Sequence, residues 1–195
     1  MMTEFCIDET QEIRKVIQQF VTVPEEEWAI LASSRQERVL KKGAHLFNIG
    51  DAVNYSYFVH QGILRVYYAH EGREHNRSFT FEGRFYTNSY SFLTKTPSHY
   101  AAQALTDTRL SAFPREAIEA AYDRHPCWER FGRLMSQRNF INKERKEMLA
   151  RVYSPEERYH MLVERNSPLV HRLPLYHLAS YLGITPETLS RIRSR

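Results

Sequence analysis

The stretch that most constrains this chain is Leu175 to Ile192, LYHLASYLGITPETLSRI. Leu175, Leu178, Ala179 and Leu182 recur at helical spacing behind Pro174, a residue suited to a first helical turn. Gly183 tolerates the left-handed backbone of a sharp turn. Thr185 then supplies a cap, Pro186 the first position of a second helix, and Leu189 and Ile192 an inner face at i,i+3. Ala179 is small enough for the two helices to cross closely. Glu187, Thr188, Ser190, Arg191, Arg193 and Arg195 are left on a polar, cationic outer face.

Short helical pairs joined by glycine also occur inside ordinary helical cores. The small residue, the glycine, the cap and the two apolar anchors together favour a helix-turn-helix, in which one helix braces a second that lies in the major groove of DNA. Charge points the same way. Residues 126–195 hold 13 lysines and arginines against seven acids, a net +6, whereas residues 1–125 hold 14 against 16, a net −2. A basic second part favours a nucleic-acid partner, although a solvated basic face has the same sum.

A chain of 195 residues buries one sizeable core or two modest ones. With 42% hydrophobic and 13% aromatic residues it has the means to fold, and no apolar stretch approaches a membrane span. The acidic, amphipathic first 20 residues do not read as a signal peptide. Cys6 and Cys127 form neither a disulfide framework nor a ligand cluster, so a reducing cytoplasm is the simpler expectation.

Along the chain, Glu9 to Phe20 predicts a short amphipathic helix, and Pro24 opens another that carries Trp28 and Leu31. Between Val39 and Phe113 the texture changes to short strands, VLKKGAHLF, YSYFVHQGILRVYYA, HNRSFTF and AAQALTDTRLSAF, punctuated by glycines. Without crossover helices these strands predict an antiparallel roll. Arg115 to Tyr122 predicts a short helix. Cys127 to Val152 predicts a long one with an imperfect apolar stripe through Trp128, Phe131, Leu134, Met135, Ile141, Met148, Leu149 and Val152. Ser154, Pro155 and Glu157 form a capping box for the next helix. The expected division is therefore 1–126 for a sensor roll with flanking helices, 127–153 for a central helix, and 154–195 for a DNA-binding domain. The fold class is α+β.

LFNIGD at 46–51 and YFVHQGILRVYY at 57–68 resemble the entry and early roll of the Crp/Fnr family, cyclic-AMP-receptor-like transcription regulators. Gly50 and Asp51 match its Gly-Asp turn, and Gly62 its glycine between neighbouring strands. LPLYHLASYLGITPETLSRIR at 173–193 independently resembles the family's DNA-reading segment. The resemblance implies a jelly-roll domain of the cyclic-nucleotide-binding type, a long connecting helix 127–153 that pairs with its twin in a homodimer, and double-stranded DNA as partner. Folding of that helix back onto the roll is the monomeric alternative, and Arg138, Asn139 and Asn142 either set its register or lie exposed. Contact with RNA polymerase is a further implied partnership.

The resemblance places Glu187 and Arg191 at base-reading positions, where arginine donates to guanine and glutamate accepts from cytosine. Pro186 stands where the family often has an arginine. Thr185, Thr188, Ser190 and Arg193 are candidate phosphate, sugar or base-edge contacts, and Tyr176 and His177 either approach phosphate or finish the outside of the supporting helix. No wing is expected after the recognition helix.

In nucleotide-binding relatives a glycine-glutamate-leucine segment and an arginine-serine or arginine-threonine pair hold ribose and phosphate. Here the matching positions are Thr87-Asn88-Ser89 and Ser98-His99, without that glutamate or arginine, so standard cyclic-AMP binding is not expected. An unidentified effector in the roll interior would meet Tyr86, Asn88, Tyr90, His99 or Tyr100, which serve equally as core aromatics and turn residues. Cys6 alone does not reproduce an iron-sulfur cluster, and His45, His60, His70, His75 and His99 form no metal pattern, so no cofactor or metal is expected. Ser98-His99 lies in no nucleophile elbow, which argues against an enzyme. A ligand sensor or interaction module that does not bind DNA is the alternative reading.

Overall fold

The computed structural model describes residues 9–194, apart from the side chains of 166 and 167; Cys6 and Arg195 lie outside the described residues. Residue contacts divide the chain into two compact units. One comprises the residues up to Leu64 together with Thr80–Gln137, and the other Arg65–Phe79 with the residues from Arg138 onward.

The first unit opens with α1 (Glu9–Gln18) and α2 (Glu25–Ser33), where Pro24 sits one position ahead of the helix that it was expected to begin. Strands β1 (Gln36–Leu40), β2 (His45–Phe47) and β3 (Tyr55–Gln61) follow, and the second unit then contributes β4 (Leu64–His70) and β5 (Arg73–Thr80). The first unit resumes with β6 (Arg84–Thr87), α3 (Ser89–Thr94), β7 (Ala101–Ala104), β8 (Thr108–Pro114) and α4 (Arg115–Arg124). One sheet has the order β1-β8-β3-β6, antiparallel throughout, and β2 pairs antiparallel with β7. The four strand-like segments of the sequence thus yield seven strands, and β6 and α3 are additions. Gly62 has no substitute: its φ is +93°, and an added Cβ would lie 2.5 Å from the Asp107 carbonyl.

The unit's helical layer closes around Ile13, Ile17, Trp28, Leu31, Phe58, Phe113, Ala121, Cys127 and Trp128. Burial of such side chains stabilises by about 1.5–3 kcal/mol each. Glu27 is buried there but satisfied, since its carboxylate accepts from the Trp128 indole at 3.0 Å and from Arg124 at 2.9 Å. Helix α5 (Pro126–Val152) begins in this core and enters the second unit at Arg138.

In the second unit, α6 (Pro155–Val170), α7 (Leu175–Leu182) and α8 (Pro186–Arg193) complete the chain. The capping box ahead of α6 forms as expected: Ser154 N–H donates to the Glu157 carboxylate at 2.8 Å, and Glu157 N–H donates to Ser154 Oγ at 3.3 Å. Among the described residues no helix is long and apolar enough to cross a membrane.

Candidate nucleic-acid interface

The geometry of α7 and α8 follows from the residues that cap and anchor them. Gly183 adopts φ +74°, and the following N–H, that of Ile184, returns to the Ala179 carbonyl at 3.1 Å, closing α7 with a left-handed cap. Thr185 is extended and its hydroxyl accepts from Thr188 N–H at 3.3 Å, while Pro186 starts α8. Leu178, Ala179 and Leu182 of α7 and Leu189 and Ile192 of α8 are buried, with Ala179 and Leu189 fully so. The cost of removing a buried leucine of this kind is about 2–5 kcal/mol, so α8 is held from behind.

Its front is polar. Leu175, Pro186, Glu187, Ser190, Arg191 and Ser194 line a shallow groove, and Glu187, Ser190, Arg191 and Arg193 are exposed. The Glu187 backbone N–H and then the Thr185 hydroxyl hold the Glu187 carboxyl below the usual range, so it is ionised and acts only as an acceptor. Arg191 donates to the Thr188 hydroxyl at 3.3 Å. A carboxylate that accepts and a guanidinium that donates stand one helical turn apart.

Tyr176 is 59% exposed at the outer side of α7, with its ring against His177. His177 requires a correction. It is buried, and Asn76 Nδ2, from β5, donates to His177 Nδ1 at 3.1 Å and to its backbone carbonyl at 3.0 Å. Burial first, and the Arg65 cation second, lower its pKa to about 4. With Nδ1 accepting, the ring is neutral, carries its proton on Nε2 and offers phosphate no cation. The β4–β5 hairpin makes further contacts with the helices of this unit. Asn76 N–H donates to Ser180 Oγ at 3.0 Å, Ser180 donates to the Glu74 carbonyl at 3.2 Å, Phe79 packs on Tyr181, and Lys146 donates to the Arg77 carbonyl. Arg65 forms a 2.6 Å ion pair with Glu74. None of these partners was legible from periodicity.

The five candidate pocket residues of the roll separate into two groups. Tyr86 and Tyr100 are buried, and each packs its ring on Phe47. Asn88 is fully buried as the cap of α3: its oxygen accepts from Ser91 N–H at 3.2 Å and its amide donates to Ser98 Oγ at 2.6 Å. Ser98 in turn donates to the Tyr100 carbonyl at 2.5 Å. The two segments expected to face a ligand are therefore bonded to each other. Tyr90 and His99 instead lie exposed, ring against ring at 4.8 Å, which corrects their expected interior position. Local sequence does not separate these groups because α3, a six-residue helix rich in Ser and Thr, carries no periodic signal.

Two buried polar groups escaped sequence reasoning. Arg115 donates to the Val53 carbonyl at 3.2 Å and to Asn54 Oδ1 at 2.6 Å while lying over the Phe92 ring. His60 accepts or donates at both nitrogens, to Glu12 at 2.8 Å and to Ser111 at 2.7 Å, in the connectivity of a serine-histidine-acid triad. Ser111 is wholly buried and also accepts from Arg35 at 3.1 Å, so the set ties α1, the turn between α2 and β1, β3 and β8 together, with the His60 ring and the Ser111 hydroxyl out of solvent. Among the described residues no three His, Cys, Asp or Glu side chains cluster as a metal site.

Residues 37–125 match the family model for the cyclic nucleotide-binding domain. Comparison with curated proteins gives no match. Among solved structures the chain resembles FixK2 from Bradyrhizobium japonicum at 25% identity, covering 82% of this chain and 83% of that one with a TM-score of 0.68. It also resembles the Thermus thermophilus catabolite activator protein at 24% identity, with 90% and 84% covered and a TM-score of 0.55. DNR from Pseudomonas aeruginosa is similar at 22% identity, with 98% and 88% covered and a TM-score of 0.58.

Proposed function

We propose that the chain, which carries a cyclic-nucleotide-binding-like regulatory domain and resembles FixK2, the catabolite activator protein and DNR, is a sequence-specific DNA-binding transcription regulator of the Crp/Fnr type working as a homodimer. The observation that carries this reading is the division of α8: Leu189 and Ile192 face inward while Glu187 and Arg191 face solvent. Arg191 reads guanine and Glu187 reads cytosine in the major groove, while Thr185, Thr188, Ser190, Arg193 and Tyr176 contact sugar-phosphate or base edges. Pairing is supported by Phe140, Ile141, Met148 and Val152 of α5, all 46–67% exposed in the single chain. Two such helices brought together bury an apolar stripe that water otherwise covers. A two-fold dimer of this kind presents two recognition helices to an inverted repeat.

Standard cyclic-AMP binding is not part of the proposal. Asn88 and Ser98, which stand at the nucleotide-binding positions, bond to each other, and neither supplies the cation that a buried phosphate needs. The protein works in the cytoplasm, where its DNA is, and RNA polymerase is the expected partner of an activator. The test is Arg191→Ala in binding titrations at matched salt. Loss of about 1–3 kcal/mol on the selected site, with a smaller loss on unrelated DNA, supports base reading. Equal losses on both DNAs contradict it.

A further inference from the structure

The second unit contains a cavity of about 150 Å³ between α5, α6 and the end of α7. Its floor is apolar, formed by Leu149, Met161, Leu162 and Leu182 with the Tyr181 ring. Its walls carry four cations, Arg145, Lys146, Arg158 and Arg165, against one acid, Glu164. A net positive rim over an apolar floor suits a ligand with the opposite pairing, an anionic head on an apolar body. We infer that this cavity is a binding site for a small amphipathic carboxylate, an aromatic or short-chain acid.

Two details orient the ligand. Arg158 donates one terminal nitrogen to the Leu182 carbonyl at 2.7 Å, while its Nε is buried without a partner. An unmade hydrogen bond on a buried N–H is unfavourable, and a carboxylate oxygen would satisfy it. Lys146 stands beside it, with its ammonium 4.5 Å from the centre of the Tyr181 ring. Partial desolvation of its ammonium first, then the neighbouring Arg77 and Arg158 cations, pull the Lys146 pKa down to about 8. An anion placed between Lys146 and Arg158 would relieve the repulsion between the two cations.

Size sets the class. A cavity of about 150 Å³ holds a benzene-sized body, whereas pockets that enclose drug-sized ligands measure roughly 300–1,000 Å³. A cyclic nucleotide is too large to be enclosed, and inorganic phosphate leaves the leucine floor uncovered. The site is separate from the DNA-reading face and does not depend on how α8 is used.

The probe is sodium benzoate, titrated calorimetrically into the full chain, with benzyl alcohol as the same ring without charge and acetate as the same charge without a ring. Saturable one-site binding of benzoate is expected, with both controls at least tenfold weaker. Ala150→Phe, a substitution at the exposed rim, fills the mouth of the cavity and is expected to weaken benzoate binding at least tenfold at an unchanged melting temperature. Lys146→Met is expected to do the same by removing charge. Absence of saturable binding, benzyl alcohol as tight as benzoate, or undiminished binding by Ala150→Phe overturns the assignment.

Discussion

The two regions where function was expected, the α7–α8 pair and the Asn88–Tyr100 segment of the roll, treat their polar residues in opposite ways. In α8 the apolar side chains take up the packing, and the polar ones face solvent with little to engage them within the chain. In the roll the polar side chains are themselves the packing: Asn88, Ser91, Ser98 and Tyr100 exchange hydrogen bonds in a nearly dry interior. A polar group that is already paired has little left to offer a ligand, since the new bond must replace an old one. The contrast fits the output surface proposed for α8 and makes the Asn88 segment a structural joint.

Several substitutions break or sharpen this contrast. The largest effect is expected from Leu189→Ala, which removes the fully buried anchor of α8 and should destabilise the second unit by about 2–5 kcal/mol in urea unfolding. A change below about 1 kcal/mol would mean that α8 is not held from behind. Asn88→Ala should cost about 1–3 kcal/mol, because the Ser91 N–H loses its acceptor and the Ser98 oxygen loses one of its donors. A destabilised chain with unaltered DNA binding would mark the residue as a joint, and unchanged stability would undo that role.

His177 gives a test by pH. Its folded pKa of about 4 lies below the unfolded value near 6.5, so between these values the unfolded chain binds more protons. Its contribution to stability is complete above pH 6.5 and is lost as pH falls towards 4, by about 2 kcal/mol between pH 7 and pH 5. The difference in urea midpoint between wild type and His177→Gln should therefore shrink over that interval, and a constant difference would contradict the buried neutral ring. The smallest effect is expected from Thr185→Ala, about 1 kcal/mol of stability through the lost cap. Its loss of DNA affinity should be uniform across sequences, and a sequence-dependent loss would move Thr185 from cap to base reader.

How much of this was legible in the sequence depends on how far each signal travels along the chain. Gly183, Thr185 and Pro186 shape the turn between two helices through their own backbones, and Leu189 and Ile192 declare the buried side by spacing alone. Ser154 and Glu157 do the same for α6. His177 was not legible because its partner Asn76 lies 101 residues away, and helical position alone placed it on the outside of the supporting helix, with or without a phosphate contact. The exposed Tyr90 and buried Tyr100 could not be told apart, since both are tyrosines in a stretch of loop and short helix. Strand β6 was missed because four residues after a glycine carry too little alternation to register. The cavity among α5, α6 and α7 arises from three helices meeting, which no single segment encodes.

The most direct measurement of the central claim is selection of genomic fragments by the purified full chain across a series of salt concentrations. The account predicts saturable enrichment of an inverted repeat whose half-sites lie one helical turn or a multiple of it apart, with affinity falling as salt rises. Equal retention of all fragments, or no retention at moderate salt, would contradict it and leave a sensor without a DNA output.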